Sequence, residues 1–373
     1  MSPSREILCA IALNQIPFIG AVTFRRLVEE FGSAEKVFQA DSFRLRAVKY
    51  MREEAVQAIS SCDPEKVGLK EWEKASKLGF KVLHFGGADY PENLKNIHDP
   101  PPVLYMAGET GKNDKNAIAV VGSRDPTEYG KKVTARISSD LVNAGVTIVS
   151  GMARGIDSEA HRSAIANGGR TIAVLGCGLD IVYPPENVRL FKAIAENGAV
   201  VSPFPLGTKP EKGNFPVRNR IISGLSLGVV VIQATTPDSG SLITARHALE
   251  QGREVFAVPG EIGRNTSRGT NILIKKGEAK LVENAGDILV EILPQLVSRE
   301  MGEEKNIFME KSRPKLEGDE KRVYESMDDQ PVHIDIIARK CNIPVHEISA
   351  VLLKLELKNL VLRRPGMHYV RNE

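Results

Sequence analysis

The chain has 373 residues, with 50 Lys and Arg against 47 Asp and Glu and a formal net charge of +3. That length holds two or three domains, and so small a positive excess excludes any case for nucleic-acid binding from bulk charge, leaving only local clusters of Lys and Arg to make one. No apolar run reaches the length of a membrane span, and the opening "MSPSREILCAIALNQIPFIG" lacks the apolar core and cleavage signal of a secretory leader, so the expectation is a cytoplasmic protein with no membrane association.

Residues 1–110 have a helical rhythm and end in a connection. "IPFIGAVTFRRLVEEFGSAEKVF" sets Val22, Leu27, Val28 and Phe31 at helical spacing after a Gly-bearing turn. "IPFIG" resembles a helix-hairpin-helix turn, whose backbone N–H groups can meet a phosphate, although Phe18 stands where such turns usually carry glycine. A purely structural hairpin is the competing reading. "DYPENLKNIHDPPPVLYMAGE" reads as an extended connection, because Pro100, Pro101 and Pro102 exclude helix.

Residues 111–297 change period. The runs "AIAVVG", "VTIVSG", "TIAVLGCG", "GAVVSPFP", "GVVVIQA" and "EVFAVPG" are short, rich in Val, Ile and Ala, and most end in Gly or Pro. Such runs are parallel strands buried on both faces. Helical patterns such as "GKKVTARISSDLVNAG" and "GSLITARHALEQG" separate them, which predicts an α/β domain with a doubly wound, mostly parallel Rossmann-like sheet. Right-handed crossovers place the loops that follow these strands on one edge. Residues 298–316 are charged and weakly periodic and read as a linker. Residues 317–373 fit three helices and a strand pair turning at Pro365-Gly366, a winged helix, with Ile348, Val351, Leu352 and Leu355 on one face of the third helix.

The strand-end loops carry the functional signal. Gly122, Ser123 and Arg124 follow the first strand of this domain; Gly151, Arg154 and Gly155 follow the second. "GTKPEKGNFPVRNR", with Lys209, Phe215, Arg218, Asn219 and Arg220, follows the fourth, and Gly240 and Ser241 follow the fifth. Glycine lets the backbone approach an anion, and helix N-termini supply N–H donors. Several such ends on one edge suit several phosphates. Arg218 and Arg220 are two positions apart on a helix and cannot face the same way. Arg218, nearer the helix start, is expected at the phosphate, with Arg220 bracing the fold.

Signatures of chemistry are missing. There is no GxxxxGK[ST], and in "GCGLDI" Ile181 replaces the last glycine of a dinucleotide fingerprint. No Cys/His cluster or HExxH suggests a metal, and Cys9, Cys62, Cys177 and Cys341 are scattered and read as buried apolar residues. Asp157 and His161, four apart, could couple as acid and base, or could serve as a capping carboxylate and a histidine bonded to a neighbouring loop. Ser150 and Ser241 stand outside GxSxG and suit capping or phosphate contact, while Asp180 and Glu186 suit loop and helix-start roles. The expectation is no catalytic residue, no cofactor and no metal.

Taken together, "AVVGSR", "SGMARGIDSEAHRSA", "GGRTIAVLGCGLDIVYPPEN", "FPVRNRIISGLS", "GSLITARHALEQGREVFAVPG" and "RGTNILIKKGEAKLV" resemble the DNA-processing protein A (DprA/Smf) family across nearly the whole α/β domain. The resemblance implies a helical N-terminal domain of the sterile-alpha-motif type, an extended Rossmann-like domain and a C-terminal winged helix. It implies a protein that binds and protects incoming single-stranded DNA in natural transformation, loads RecA recombinase onto it and acts as a homodimer. Arg124 matches a family position for DNA contact, and Arg218 and Arg220 match the same basic face. Asn271, Ile274 and Leu281 match the self-association region. Pro185, Pro203 and Gln233 depart from the family pattern, the last two where members commonly carry Glu.

Phe215 or Tyr183 could stack on a base. An alternative is a nucleotide-processing enzyme of the phosphoribohydrolase type, which shares this sheet. Its motif needs a glutamate where "SGSLITARHA" has no acid before Glu250. A winged-helix regulator is a third reading. Its recognition helix offers His346, Ser349 and Lys354 but no arginine, and Arg363 and Arg364 of the wing could touch a backbone.

Overall fold

The computed structural model describes residues 3–235, 239–292, 318–327, 332–341, 343–357, 361–364 and 367–371. The chain divides into two compact units, Met1–Val297 and Ser298–Glu373.

The first unit begins with six helices, α1 (Arg5–Asn14), α2 (Ala21–Phe31), α3 (Ala34–Gln39), α4 (Ser42–Ala47), α5 (Glu53–Ser61) and α6 (Pro64–Lys77). Ser33, Asp41 and Asp63 cap three of them through side-chain oxygens. The Glu6 carboxylate accepts from the N–H groups of Ala34 and Glu35 at 2.7 and 2.9 Å and ties α1 to the start of α3. Gly68 lets α6 meet α1 backbone to backbone, since a Cβ there would lie 2.3 Å from the Leu8 carbonyl oxygen.

A nine-stranded sheet follows, in the order β1-β2-β6-β5-β4-β3-β7-β8-β9. Its strands are β1 (Lys81–His84), β2 (Val103–Gly108), β3 (Ala117–Val121), β4 (Thr147–Ser150), β5 (Thr171–Val174), β6 (Gly198–Ser202), β7 (Gly228–Val231), β8 (Glu254–Ala257) and β9 (Lys280–Leu281). Strands β3 to β9 are parallel. The six apolar runs of the sequence are β3 to β8. The segment read as a plain connection is structured: after a short α7 (Glu92–Lys95), β2 pairs antiparallel with both β1 and β6 and extends the sheet back to Lys81. The three prolines only delay the strand until Val103.

The crossing helices are α8 (Glu128–Asn143), α9 (Ile156–Ala166), α10 (Val188–Asn197), α11 (Asn214–Gly224), α12 (Gly240–Glu250) and α13 (Asn265–Lys275), followed by α14, helical over 285–292. Alternate strand residues feed opposite layers. Ile118, Val120, Ile148 and Val230 pack with Ile137, Leu141 and Ile156 of α8 and α9. Ala119, Val121, Val149 and Val231 pack with Ile221, Ile222, Leu242 and Ala245 of α11 and α12.

The second unit holds α15 (Gly318–Glu325), β10 (Val332–His333), α16 (Ile334–Cys341), α17 (Val345–Leu357), β11 (Val361–Arg364) and β12 (His368–Arg371), with a three-stranded sheet β10-β12-β11. Ile348, Leu352 and Leu355 of α17 are buried against Val323, Ile337 and Val361. The proposed linker and the Pro365-Gly366 turn lie outside the described residues, as do the side chains of His346, Arg363 and Arg364.

Candidate nucleic-acid interface

The chain reaches β6, at one side of the parallel strands, and crosses back through α11 to β7, which lies beside β3 on its other flank. The strand order therefore reverses between β3 and β7, and in open α/β sheets ligands bind beyond the strand ends at such a point. A cleft of about 960 Å³ opens there, lined by Gly122–Asp125 after β3, Ala153 and Asp157 after β4, the start of α11, and Ser239–Ser241 at the start of α12.

Glycines set the walls. Gly155 has φ +75°, and a Cβ on it would lie 2.4 Å from the Ser123 carbonyl oxygen, so it lets the β3 and β4 loops touch. Gly122 leaves room in the same way for Ile156, whose side chain would lie 2.7 Å from an added Cβ. Asn219, buried on α11, donates from Nδ2 to the Gly240 carbonyl at 3.1 Å and holds the α12 start against α11.

At one end of the cleft stands Phe215. Arg124 lies 5.7 Å from its ring centroid and Arg218 5.8 Å, with Tyr183 tilted against it at 5.9 Å. Arg124 is exposed and Phe215 is half-buried. The ring thus has two guanidinium groups within 6 Å, one exposed and one buried.

Arg218 corrects an expectation. It is only 4% exposed. Its Nη1 donates to the carbonyls of Gly151 at 2.6 Å and Val174 at 3.0 Å, at the ends of β4 and β5. Gly151 is glycine because the guanidinium occupies the place of its side chain: a Cβ there would lie 1.7 Å from Nη1. Burial pushes the Asp157 carboxyl up and pulls Arg218 down, and each charge opposes the other's shift. Arg218 therefore lines the cleft as a buried group rather than a mobile phosphate clamp, and its buried Nε has no hydrogen-bond partner among the described residues. Arg220 points elsewhere. It pairs with the Asp99 carboxylate at 2.6 Å and also donates to the Asp99 carbonyl, outside the cleft.

The other expected residues separate by position. Gly122, Ser123, Arg124, Phe215, Arg218, Asn219, Gly240 and Ser241 meet in the cleft. Gly151 and Arg154 line a small recess beside it with Tyr183, and exposed Arg154 forms an ion pair with Glu186. Lys209 is exposed on the approach to α11. Lys212, which sequence reasoning did not single out, lines the cleft, and its position beside the helix-starting Gly213 was the available signal. Asn271 exchanges hydrogen bonds with both backbone groups of Gly260, Ile274 packs on the core, and Leu281 is exposed on β9.

Asp157 and His161 do not form a working couple. The Asp157 carboxylate accepts from the Ala153 N–H at 3.4 Å, whereas His161 Nδ1 lies 2.6 Å from Thr171 Oγ1. The Thr171 hydroxyl gives its proton to the Ile148 carbonyl at 2.8 Å, so Nδ1 of His161 is the donor. Burial and the Arg218 charge hold its pKa down to about 3. The Ser150 hydroxyl donates to the Val120 carbonyl at 2.6 Å, Asp180 accepts from the N–H of Gly207 at 2.9 Å, and Glu250 sits beside His247 at the far end of α12 from the cleft. Gln233, where the family commonly has Glu, uses both ends of its amide on Thr127: Oε1 accepts from the backbone N–H at 3.0 Å and Nε2 donates to Oγ1 at 2.9 Å. Among the described residues no group of His, Cys, Asp and Glu is arranged to hold a metal, and no helix is long and apolar enough to cross a membrane.

Known proteins match this architecture. The family model described as DNA recombination-mediator protein A matches residues 81–293, and the DprA winged helix domain model matches residues 309–367. Protein Smf of Synechocystis is 35% identical over 97% of this chain and 98% of its own length. Protein Smf of Escherichia coli is 42% identical over 76% of this chain and 75% of its own. The X-ray structure of DprA from Streptococcus pneumoniae superposes with a TM-score of 0.66 at 34% identity, covering 78% of this chain and 99% of that one. DprA from Helicobacter pylori, whose structure is described in terms of its single-stranded DNA binding mode, superposes with a TM-score of 0.52 at 33% identity, covering 58% and 96%. The chain belongs to the DNA recombination-mediator protein A family, the DprA/Smf proteins.

Proposed function

We propose that this protein captures single-stranded DNA in the switch-point cleft without regard to sequence, protects it, and hands it to RecA recombinase in transformation or recombination. The observation that carries the reading is the cluster of Phe215 with exposed Arg124 and buried Arg218 in a glycine-walled cleft built from three helix starts. Arg124, Lys212 and Lys209 supply charge for phosphates, the starts of α11 and α12 supply N–H groups, and Phe215 or Tyr183 supplies a ring for a base. Cations, backbone N–H groups and rings of this kind meet phosphates and π-faces, so the contacts are to backbone and to the flat of the bases.

The protein acts in the cytoplasm as a homodimer through the region of Asn271, Ile274 and Leu281. Pairing sets two clefts on one particle, and one strand that reaches both gains avidity. Handing the strand over requires only a protein that holds DNA and touches the recombinase, which agrees with a sequence free of an ATPase loop. The test is a competition titration of single-stranded against duplex DNA of equal length and mixed sequence, at several salt concentrations, followed by RecA filament assembly on the captured strand. Single-strand preference, strong salt dependence and faster filament growth support the reading. Equal affinity for duplex, or no change in filament growth, contradicts it.

A further inference from the structure

Outside the cleft, the helical region carries a second set of rings and cations. Phe18, in the turn between α1 and α2, is 57% exposed, and Tyr50, between α4 and α5, is 72% exposed. Both have left-handed backbones, with φ of +68° and +64°, a conformation unfavourable for large side chains. Neither exposure nor conformation serves folding: the rings stay in water and the backbone cost is not offset by burial.

Each ring is instead attended by cations. The Arg52 guanidinium lies 5.0 Å from the Phe18 centroid; Arg26 lies 5.1 Å and Lys49 5.0 Å from that of Tyr50. Because Arg52 and Tyr50 belong to one turn, this turn joins the two rings into a single patch. From Ser42 to Arg52 the chain has four cations, Arg44, Arg46, Lys49 and Arg52, and no acid. Arg46 pairs with Glu53. Arg26, Lys49 and Arg52 make no ion pair among the described residues.

The patch is also fixed relative to the cleft. Arg25, next to Arg26 on α2, donates to the Ile97 carbonyl at 3.0 Å, and Arg220 on α11 pairs with Asp99 two residues further on. One short segment is thus gripped by the helix that carries Arg26 and by the helix that carries Phe215.

The geometry points to a second contact for single-stranded nucleic acid at Phe18 and Tyr50, with bases stacking on the rings and phosphates meeting Arg26, Lys49 and Arg52. The inference rests on the cleft as the primary site. Exposed rings beside unpaired cations are what a strand held without sequence preference requires, and the cleft repeats the same pairing of ring and guanidinium.

The test uses the full chain and a ladder of oligo(dT) lengths. In a Phe18→Gly/Tyr50→Gly double variant, glycine accepts the left-handed backbone, so the turns keep their shape while the rings are removed. Affinity for short oligonucleotides stays unchanged, and affinity for long ones falls by roughly tenfold or more if two stacked bases are lost. A Phe18→Trp variant gives a second readout, with its added indole fluorescence quenched by long oligo(dT) and not by short. Arg124→Ala separates the two sites, because failure of the cleft leaves its short-oligonucleotide binding intact, whereas failure of the patch leaves the glycine variant's long-oligonucleotide binding intact. Unchanged long-oligonucleotide affinity, an unquenched indole, or ring-dependent binding to phosphatidylglycerol vesicles in place of oligo(dT) would overturn the inference.

Discussion

Two regions of this protein set aromatic rings against cations, and they are built differently. In the cleft, Phe215 is half-buried and backed by Arg218, whose hydrogen bonds knit the ends of β4 and β5. Around Phe18 and Tyr50 the rings stand exposed on surface turns, with cations from those turns and from α2 beside them. The cleft is preorganised by the core, so changes there alter fold and binding together. The patch can be altered with little effect on stability. A residue's place in the load path, more than its type, decides what its loss reports.

The largest expected effect tests the buried half of this contrast. Arg218→Met leaves Asp157 buried without its counter-charge and two strand-end carbonyls without a donor, at about 3–5 kcal/mol. Urea denaturation of the purified variant should show that loss, and a midpoint equal to wild type would mean that Arg218 is not structural. Phe215→Ala comes next. It removes the ring that lies 3.0 Å from where a Gly176 Cβ would sit, and with it about 1–3 kcal/mol of base stacking. Both stability and oligonucleotide affinity should fall, whereas the glycine variants of the patch should leave stability level.

A pH effect follows from His161. Its imidazole is held at about 3 in the fold against 6.5 in the unfolded chain, so below pH 6.5 the unfolded state binds the extra proton. The histidine's contribution to stability is complete above pH 6.5 and is lost as pH falls, with a slope of up to about 1.4 kcal/mol per pH unit. Asp157, raised by burial, acts with the opposite sign, and because both proteins of the following comparison keep it, their difference isolates the histidine. Denaturation midpoints of wild type and His161→Gln between pH 7 and pH 5 should diverge in slope; parallel curves would show that the imidazole is not held neutral. The smallest effect belongs to Arg154→Ala, whose pair with Glu186 is exposed on both sides, so that its loss should leave the denaturation midpoint at the wild-type value.

Much of this was legible in the sequence. Runs such as "AIAVVG" and "GVVVIQA" announce strands because a parallel strand covered on both faces can be apolar throughout. The loops of the cleft were legible because Gly, Ser and Arg at strand ends have few other uses. Strand β2 was hidden behind Pro100–Pro102, and β9 has only two residues, too short for any period. The direction of Arg218 was hidden too, since it depends on the hole left by Gly151, 67 residues away in the chain. Asp157 and His161 share a helix face by spacing, yet their partners lie on different elements. Phe18 stands where a phosphate-binding helix-hairpin-helix turn usually carries glycine, and the backbone there is left-handed with phenylalanine in place.

The central claim is that the switch-point cleft holds a DNA backbone through its exposed cations. Its most direct test is the salt dependence of oligo(dT) binding by wild type and by Arg124→Ala. The account predicts a steep slope of log affinity against log salt for wild type, reduced by about 0.7 for each phosphate that the variant no longer neutralises, with unchanged thermal stability. An Arg124→Ala protein that binds with full affinity and the wild-type slope would contradict it.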